Sequence, residues 1–132
     1  MSRLPAIFSL GRLALCLCGM AAISGCDAGQ TLRPYATPVS GNAQHGKQLI
    51  EGYGCGACHT IPGVRNANGL VGPPLFFFSR RTMIAGELPN TEVNLVRWIQ
   101  HPRRVEEHTA MPDLGLDENQ AYDIAAYLYT LR

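Results

Sequence analysis

The chain has 132 residues, a formal net charge of +1 and only 8% aromatic residues. That length holds a leader and one small domain with a modest core. The arginines are scattered and form no basic run, which excludes a nucleic-acid partner recognised through charge.

Residues 1–25 read as an export signal. Arg3 and Arg12 supply positive charge ahead of an apolar run from Leu13 to Ile23, too short to cross a bilayer as a mature helix. The stretch Ile23-Ser24-Gly25-Cys26 resembles the bacterial lipobox. On that reading Cys26 takes a diacylglyceryl group and becomes the mature N-terminus, since two or more acyl chains give stable anchoring where one is marginal. Asp27 resembles an inner-membrane retention signal. The competing reading is ordinary secretory cleavage near Ala28, which yields a soluble periplasmic protein. Residues 26–41 form the lipidated cysteine and a flexible tether: the segment is polar, carries Pro34 and Pro38, and has no helical or alternating period. A chain of that length reaches about 20 Å.

The domain spans residues 42–132. Asn42 caps a helix starting at Ala43, with Gly46, Leu49, Ile50 and Tyr53 on one face. Glycine in mid-helix costs about 1 kcal/mol against alanine, a cost explained if another helix crosses close to Gly46; a tolerated surface glycine is the plainer alternative. Next comes Cys55-Gly56-Ala57-Cys58-His59, the C-x-x-C-H pattern of c-type haem attachment. Two thiols three apart can each form a thioether to the haem, and the adjoining His59 supplies the proximal iron ligand. A structural zinc site would need a further pair of ligands, and a thioredoxin-like dithiol a βαβ setting; the sequence offers neither. Of the five cysteines, Cys16 and Cys18 fall in the leader, Cys26 takes lipid and Cys55 and Cys58 take haem, leaving none for a disulfide. A buried haem also supplies apolar area that a chain with 14 glycines and 9 prolines otherwise lacks.

Thr60 to Leu75 reads as loop, being rich in glycine, asparagine and proline. Leu75-Phe76-Phe77-Phe78 is the most apolar stretch after the leader. Leu75 and at least one phenylalanine are expected on the haem, while three consecutive rings cannot all turn inward from a loop. Arg80 and Arg81 either pair with haem propionates or stay solvated; Arg81 is the candidate contact. Met83 to Pro89 reads as loop. Thr91 caps a helix from Glu92 to Gln100 with Leu95, Trp98 and Ile99 on its inner face, ended with help from Pro102. The indole N–H of Trp98 needs an acceptor, and a propionate is one candidate. Arg103 to Thr109 is expected to be irregular. In Ala110-Met111-Pro112, a methionine held by proline on a downstream loop suits a distal axial ligand, whose soft sulfur favours ferrous iron. His108 stays open as the alternative. Met83 lies close behind the haem motif, His45 lies on the wrong side of the first helix, and His101 sits at a helix end. Asp117 and Gln120 form a capping box, with Leu116 and Ala121 as staple. Ala121, Ile124, Ala125, Leu128 and Leu131 then mark the apolar stripe of a last helix.

These stretches together resemble class I cytochrome c over residues 42–132, and in particular the cytochrome c domain fused to subunit II of bacterial haem–copper oxidases. The likeness rests on Gly54 to Ile61, Val71-Gly72-Pro73, Ser79-Arg80-Arg81, Leu88 to Thr91 with Trp98-Ile99, His101-Pro102, Ala110-Met111-Pro112 and Ala125 to Leu128. It implies an all-α fold of three to four helices around one covalent haem c, with the terminal helices crossing. It also implies that the Pro73 carbonyl accepts the second N–H of His59, the partner that a metal-bound imidazole usually has. The chain departs from the family at Pro74 and the Leu75–Phe78 run, where an acidic residue and a small polar turn are usual. It also lacks the oxidase copper-site residues and the transmembrane hairpin.

The expected function is single-electron transfer between membrane respiratory complexes, such as a quinol-oxidising complex and a terminal oxidase, rather than enzymatic catalysis. The haem would sit at the periplasmic face of the bacterial cytoplasmic membrane. The alternatives are a fixed haem subunit of a quinol-oxidising complex or membrane dehydrogenase, a ligand-binding haem sensor, and a structural lipoprotein without haem.

Overall fold

The computed structural model describes residues 39–132; the segment expected to be an export signal, Cys26 and most of the expected tether lie outside the described residues. Four helices run through them: α1 Ala43–Gly52, α2 Glu92–Gln100, α3 Pro102–Val105 and α4 Glu118–Thr130. None is long and apolar enough to cross a membrane.

The helix starts follow from their caps. The Asn42 side chain accepts the N–H groups of Gln44 and His45 at 3.0 and 3.1 Å, and the Thr91 hydroxyl accepts from Asn94. Asp117 and Gln120 form the full capping box, with bonds of 2.8 and 3.0 Å. Each satisfies backbone donors that a first turn leaves unpaired.

The terminal helices α1 and α4 cross, and Gly46 is the contact. A β-carbon there would run into the Asp123 carbonyl. Ile50, Ala121, Ile124, Ala125 and Leu128 are buried around the crossing. On the other side of α4, Leu95, Val96 and Ile99 of α2 complete the core. Asp123 locks the crossing by taking the Asn42 backbone N–H and the His45 ring, each at 2.6 Å.

Three local expectations change. The segment Met83 to Pro89 is not plain loop: β1 Met83–Ile84 and β2 Leu88–Pro89 pair antiparallel across Ala85 and Gly86, both at positive φ. Pro102 does not simply stop α2; as the first residue of α3 it opens a new short helix, where its missing N–H costs nothing. The end of the tether is docked. Val39 packs on the core, and the Ser40 N–H donates to Glu92 at 2.5 Å.

Candidate functional site

The site grows from the end of α1. Gly54, at φ 71°, turns the chain out of the helix. Cys55–Ala57 then form one tight helical turn, and His59 closes it by donating its N–H to the Cys55 carbonyl at 3.0 Å. Both thiols are free. Burial raises the pKa of Cys55, and the neighbouring Cys58 thiol adds to the rise in smaller measure. A reactive redox dithiol needs the opposite shift.

The loop of residues 60–75 folds back along this turn. Gly69 and Gly72 donate backbone N–H groups to the Gly56 and Cys58 carbonyls at 3.0 and 2.8 Å. The Thr60 hydroxyl holds the Gly69 carbonyl at 3.0 Å, and Tyr127 of α4 holds that of Pro62 at 2.6 Å. The result brings Gly72 flat against the imidazole: a β-carbon there would strike the His59 ring. The Pro73 carbonyl lies 2.8 Å from His59 Nδ1. A carbonyl only accepts, so Nδ1 carries the proton and Nε2 keeps its lone pair free for a metal.

His59 faces a cavity of about 570 Å³ whose wall includes Cys55, Cys58, Pro73, Leu75, Arg81, Trp98 and Met111. Every haem-contact residue expected from sequence therefore lines one space. Phe78 joins them from the apolar run, buried and on the wall, while Phe76 and Phe77 stay outside at 47% and 57% exposure. Met111 is half-buried, its N–H donating to the Thr109 hydroxyl at 3.2 Å. His108 is exposed and off the wall. His45 is taken up by Asp123, and His101 faces Asp113 at 3.4 Å.

Sequence reasoning set Met83 aside for its closeness to the haem motif. The hairpin of β1 and β2 brings it onto the same wall, 43% exposed. Tyr53, Gly72 and Leu114 were also missed as wall residues. Only Gly72, beside the proline that holds His59, carried a signal in the sequence.

The two arginines separate. Arg80 is exposed, with its guanidinium 5.5 Å from the Phe77 ring. Arg81 turns to the wall, 5.3 Å from the Phe78 ring, and donates to the Pro74 and Phe76 carbonyls. Burial lowers its pKa, and among the described residues no carboxylate pairs with it. Asn90 fixes this corner by donating to the Phe78 and Arg81 carbonyls at 3.1 and 2.9 Å, and it accepts from Tyr129 at 2.8 Å.

The wall fits a haem on three counts. It is mostly apolar and of cofactor size. Its imidazole is held in the metal-binding tautomer. Its partly desolvated guanidinium suits a propionate.

The comparisons agree with this geometry. The family model described as cytochrome c matches residues 43–132. Cytochrome c oxidase subunit 2 of Alkalihalophilus pseudofirmus is 33% identical over 98 residues, covering 72% of this chain. The chain matches only 27% of the length of that relative. With its class I fold and a family match over the whole four-helix domain, the chain belongs to the cytochrome c family, whose members hold haem covalently and transfer electrons.

Proposed function

We propose that this protein is a monohaem c-type cytochrome that carries single electrons between membrane respiratory complexes, in the branch of a terminal oxidase. One observation carries the reading: both thiols of the attachment motif, His59 fixed by Pro73, and Met111 line a single apolar cavity. Cys55 and Cys58 would bind the haem edge, and His59 Nε2 and Met111 Sδ its iron. Leu75, Phe78 and Trp98 would exclude water, and Arg81 would take a propionate. When bound, the haem supplies a one-electron ferric–ferrous couple. With His59 and Met111 both holding the iron, the site would leave no open position for a substrate.

The subunit 2 relative supports an oxidase as acceptor, and a lipid on Cys26 would hold the domain beside it at the periplasmic face of the membrane. The same relative favours a second reading, a fixed haem subunit of a larger complex. A reduced-minus-oxidised spectrum with a redox titration tests the first. It should show one low-spin c-type haem and a single one-electron wave, with the near-infrared charge-transfer band of methionine-bound ferric haem. A bis-imidazole spectrum would reject Met111, and CO binding by the reduced protein at neutral pH would favour a sensor. Loss from membranes in a mild detergent wash without other subunits separates a mobile carrier from a fixed one.

A further inference from the structure

The two phenylalanines that stay outside the cavity are held there by the fold. Phe77 sits at φ 52°, ψ 32°, the left-handed region that residues with a β-carbon seldom adopt. That backbone starts the short helical turn Phe78–Arg80, which buries Phe78 and Ser79 while facing Phe76 and Phe77 to solvent. The turn is rigid from behind. Ser79 gives both its N–H and its hydroxyl to the Leu131 carbonyl, at 3.1 and 2.9 Å, and Asn90 holds the Phe78 carbonyl. Arg80 stacks on Phe77 from the exposed side. Two outward aromatic rings beside an exposed guanidinium match the boundary between acyl chains and anionic headgroups.

The place where the tether joins the domain points the same way. Ser40 is held by Glu92, which follows Asn90 and Thr91, so the entering chain and the Phe76–Arg80 turn share one corner. The Glu92 carboxylate, the acidic group in this network, is taken up by Ser40. Residues 27–38, between Cys26 and that corner, span at most about 40 Å.

We propose that Phe76, Phe77 and Arg80 form a membrane-interface contact that seats the tethered haem domain on an anionic bilayer in one orientation. The proposal rests on the lipid-anchor reading of Cys26. Two rings and one cation bind weakly alone, but the tether keeps them beside the bilayer at high effective concentration. Seated this way, the domain would search for its redox partner over a surface instead of through a volume.

The test uses the full lipidated protein in mixed phosphatidylethanolamine–phosphatidylglycerol vesicles. Nitroxide labels are placed in turn at Phe76→Cys, Phe77→Cys, Leu70→Cys and Gln48→Cys, all at exposed positions, so that each apolar label stands in for one ring and Arg80 is kept. Power saturation compares collision with oxygen, which partitions into lipid, and with a polar nickel complex. The oxygen-to-nickel ratio should be several-fold higher at positions 76 and 77 than at 70 and 48. Adding Arg80→Gln should lower it at position 77, while the haem spectrum stays unchanged. Protein that floats with vesicles but keeps the labels at 76 and 77 in water overturns the contact and leaves the anchor standing. Protein that does not float overturns both. Aqueous labels together with slowed electron delivery by a Phe76→Ser/Phe77→Ser variant would assign the turn to a protein partner instead.

Discussion

Gly72 holds the imidazole of His59 by having no side chain. An added methyl would meet the ring itself, with the loop backbone tied to Cys58 behind it. Gly72→Ala should therefore cost about 1–3 kcal/mol, the range for overpacking a fixed site. It should also disturb the methionine–ferric charge-transfer band, because the ring must tilt. Denaturant titration and the near-infrared spectrum read the two effects separately. The axial assignment has its own check, since two methionines line the cavity. Met111→Ala should abolish the band and lower the reduction potential, whereas Met83→Ala should keep the band. The reverse pattern would move the ligand to Met83. Cys55, Cys58 and His59 were legible in the sequence because their chemistry is written in five adjacent positions. Gly72 was marked only by its place beside Pro73 and Met83 not at all, since their roles depend on which distant side chain the loop and the hairpin bring against them.

At the scale of elements, the crossing of α1 on α4 sets two glycines of one helix against each other. At Gly46 a methyl would press on the Asp123 carbonyl, and α4 backbone cannot move aside cheaply. The helix-propensity gain of about 1 kcal/mol is outweighed, and Gly46→Ala should destabilise by about 1–3 kcal/mol. At Gly52 a methyl meets nothing, so Gly52→Ala should stabilise by about 0.5–1 kcal/mol. Thermal melts of the two variants should move in opposite directions. The crossing also depends on pH. The Asn42 N–H first, and the His45 ring second, hold the Asp123 carboxyl below its usual range. A depressed carboxylate contributes stability that is complete above its unfolded value, about 3.9, and lost as pH falls through the folded one. Asp123→Asn should flatten that acid limb, as followed by urea unfolding between neutral pH and about pH 3. The capped helices α1, α2 and α4 were readable because capping and apolar spacing are local signals. The short α3 and the two-residue ladder were not: four residues from Pro102 and a pair either side of Ala85 and Gly86 carry too little period to read.

Across the whole molecule, the domain has two unequal parts. Ile50, Ala121, Ile124, Ala125 and Leu128 are packed against protein on every side. Leu75, Trp98 and Leu114 are only half-buried and face the cavity. The terminal-helix core was visible in the apolar stripe of α4 and the glycine of α1. The opposite wall is mostly loop, and its shape is set by what it encloses, so the haem-motif residues and Met111 were legible while Met83 and Leu114, brought there by the folding of the loops, were not. Tyr129 joins the parts through Asn90. Burial, and then the Glu92 carboxylate, push its hydroxyl up to about 12. A phenol raised in the folded state contributes stability that is whole below its unfolded value, about 10, and lost as pH rises through the folded one. Tyr129→Phe should therefore flatten the alkaline limb of stability while costing some neutral-pH stability through Asn90. Cofactor removal probes the same division. Cys55→Ala/Cys58→Ala leaves no thiol for attachment, and the wall then turns its apolar side chains to water. Ile50, Ala121, Ile124, Ala125 and Leu128 do not line the cavity, so the crossing of α1 and α4 should keep most of the far-ultraviolet helical signal. The wall should lose fixed packing, bind a hydrophobic dye and unfold without a sharp transition. A melt of the double variant as cooperative as that of the haem-bound protein would show that the wall stands without the group it encloses.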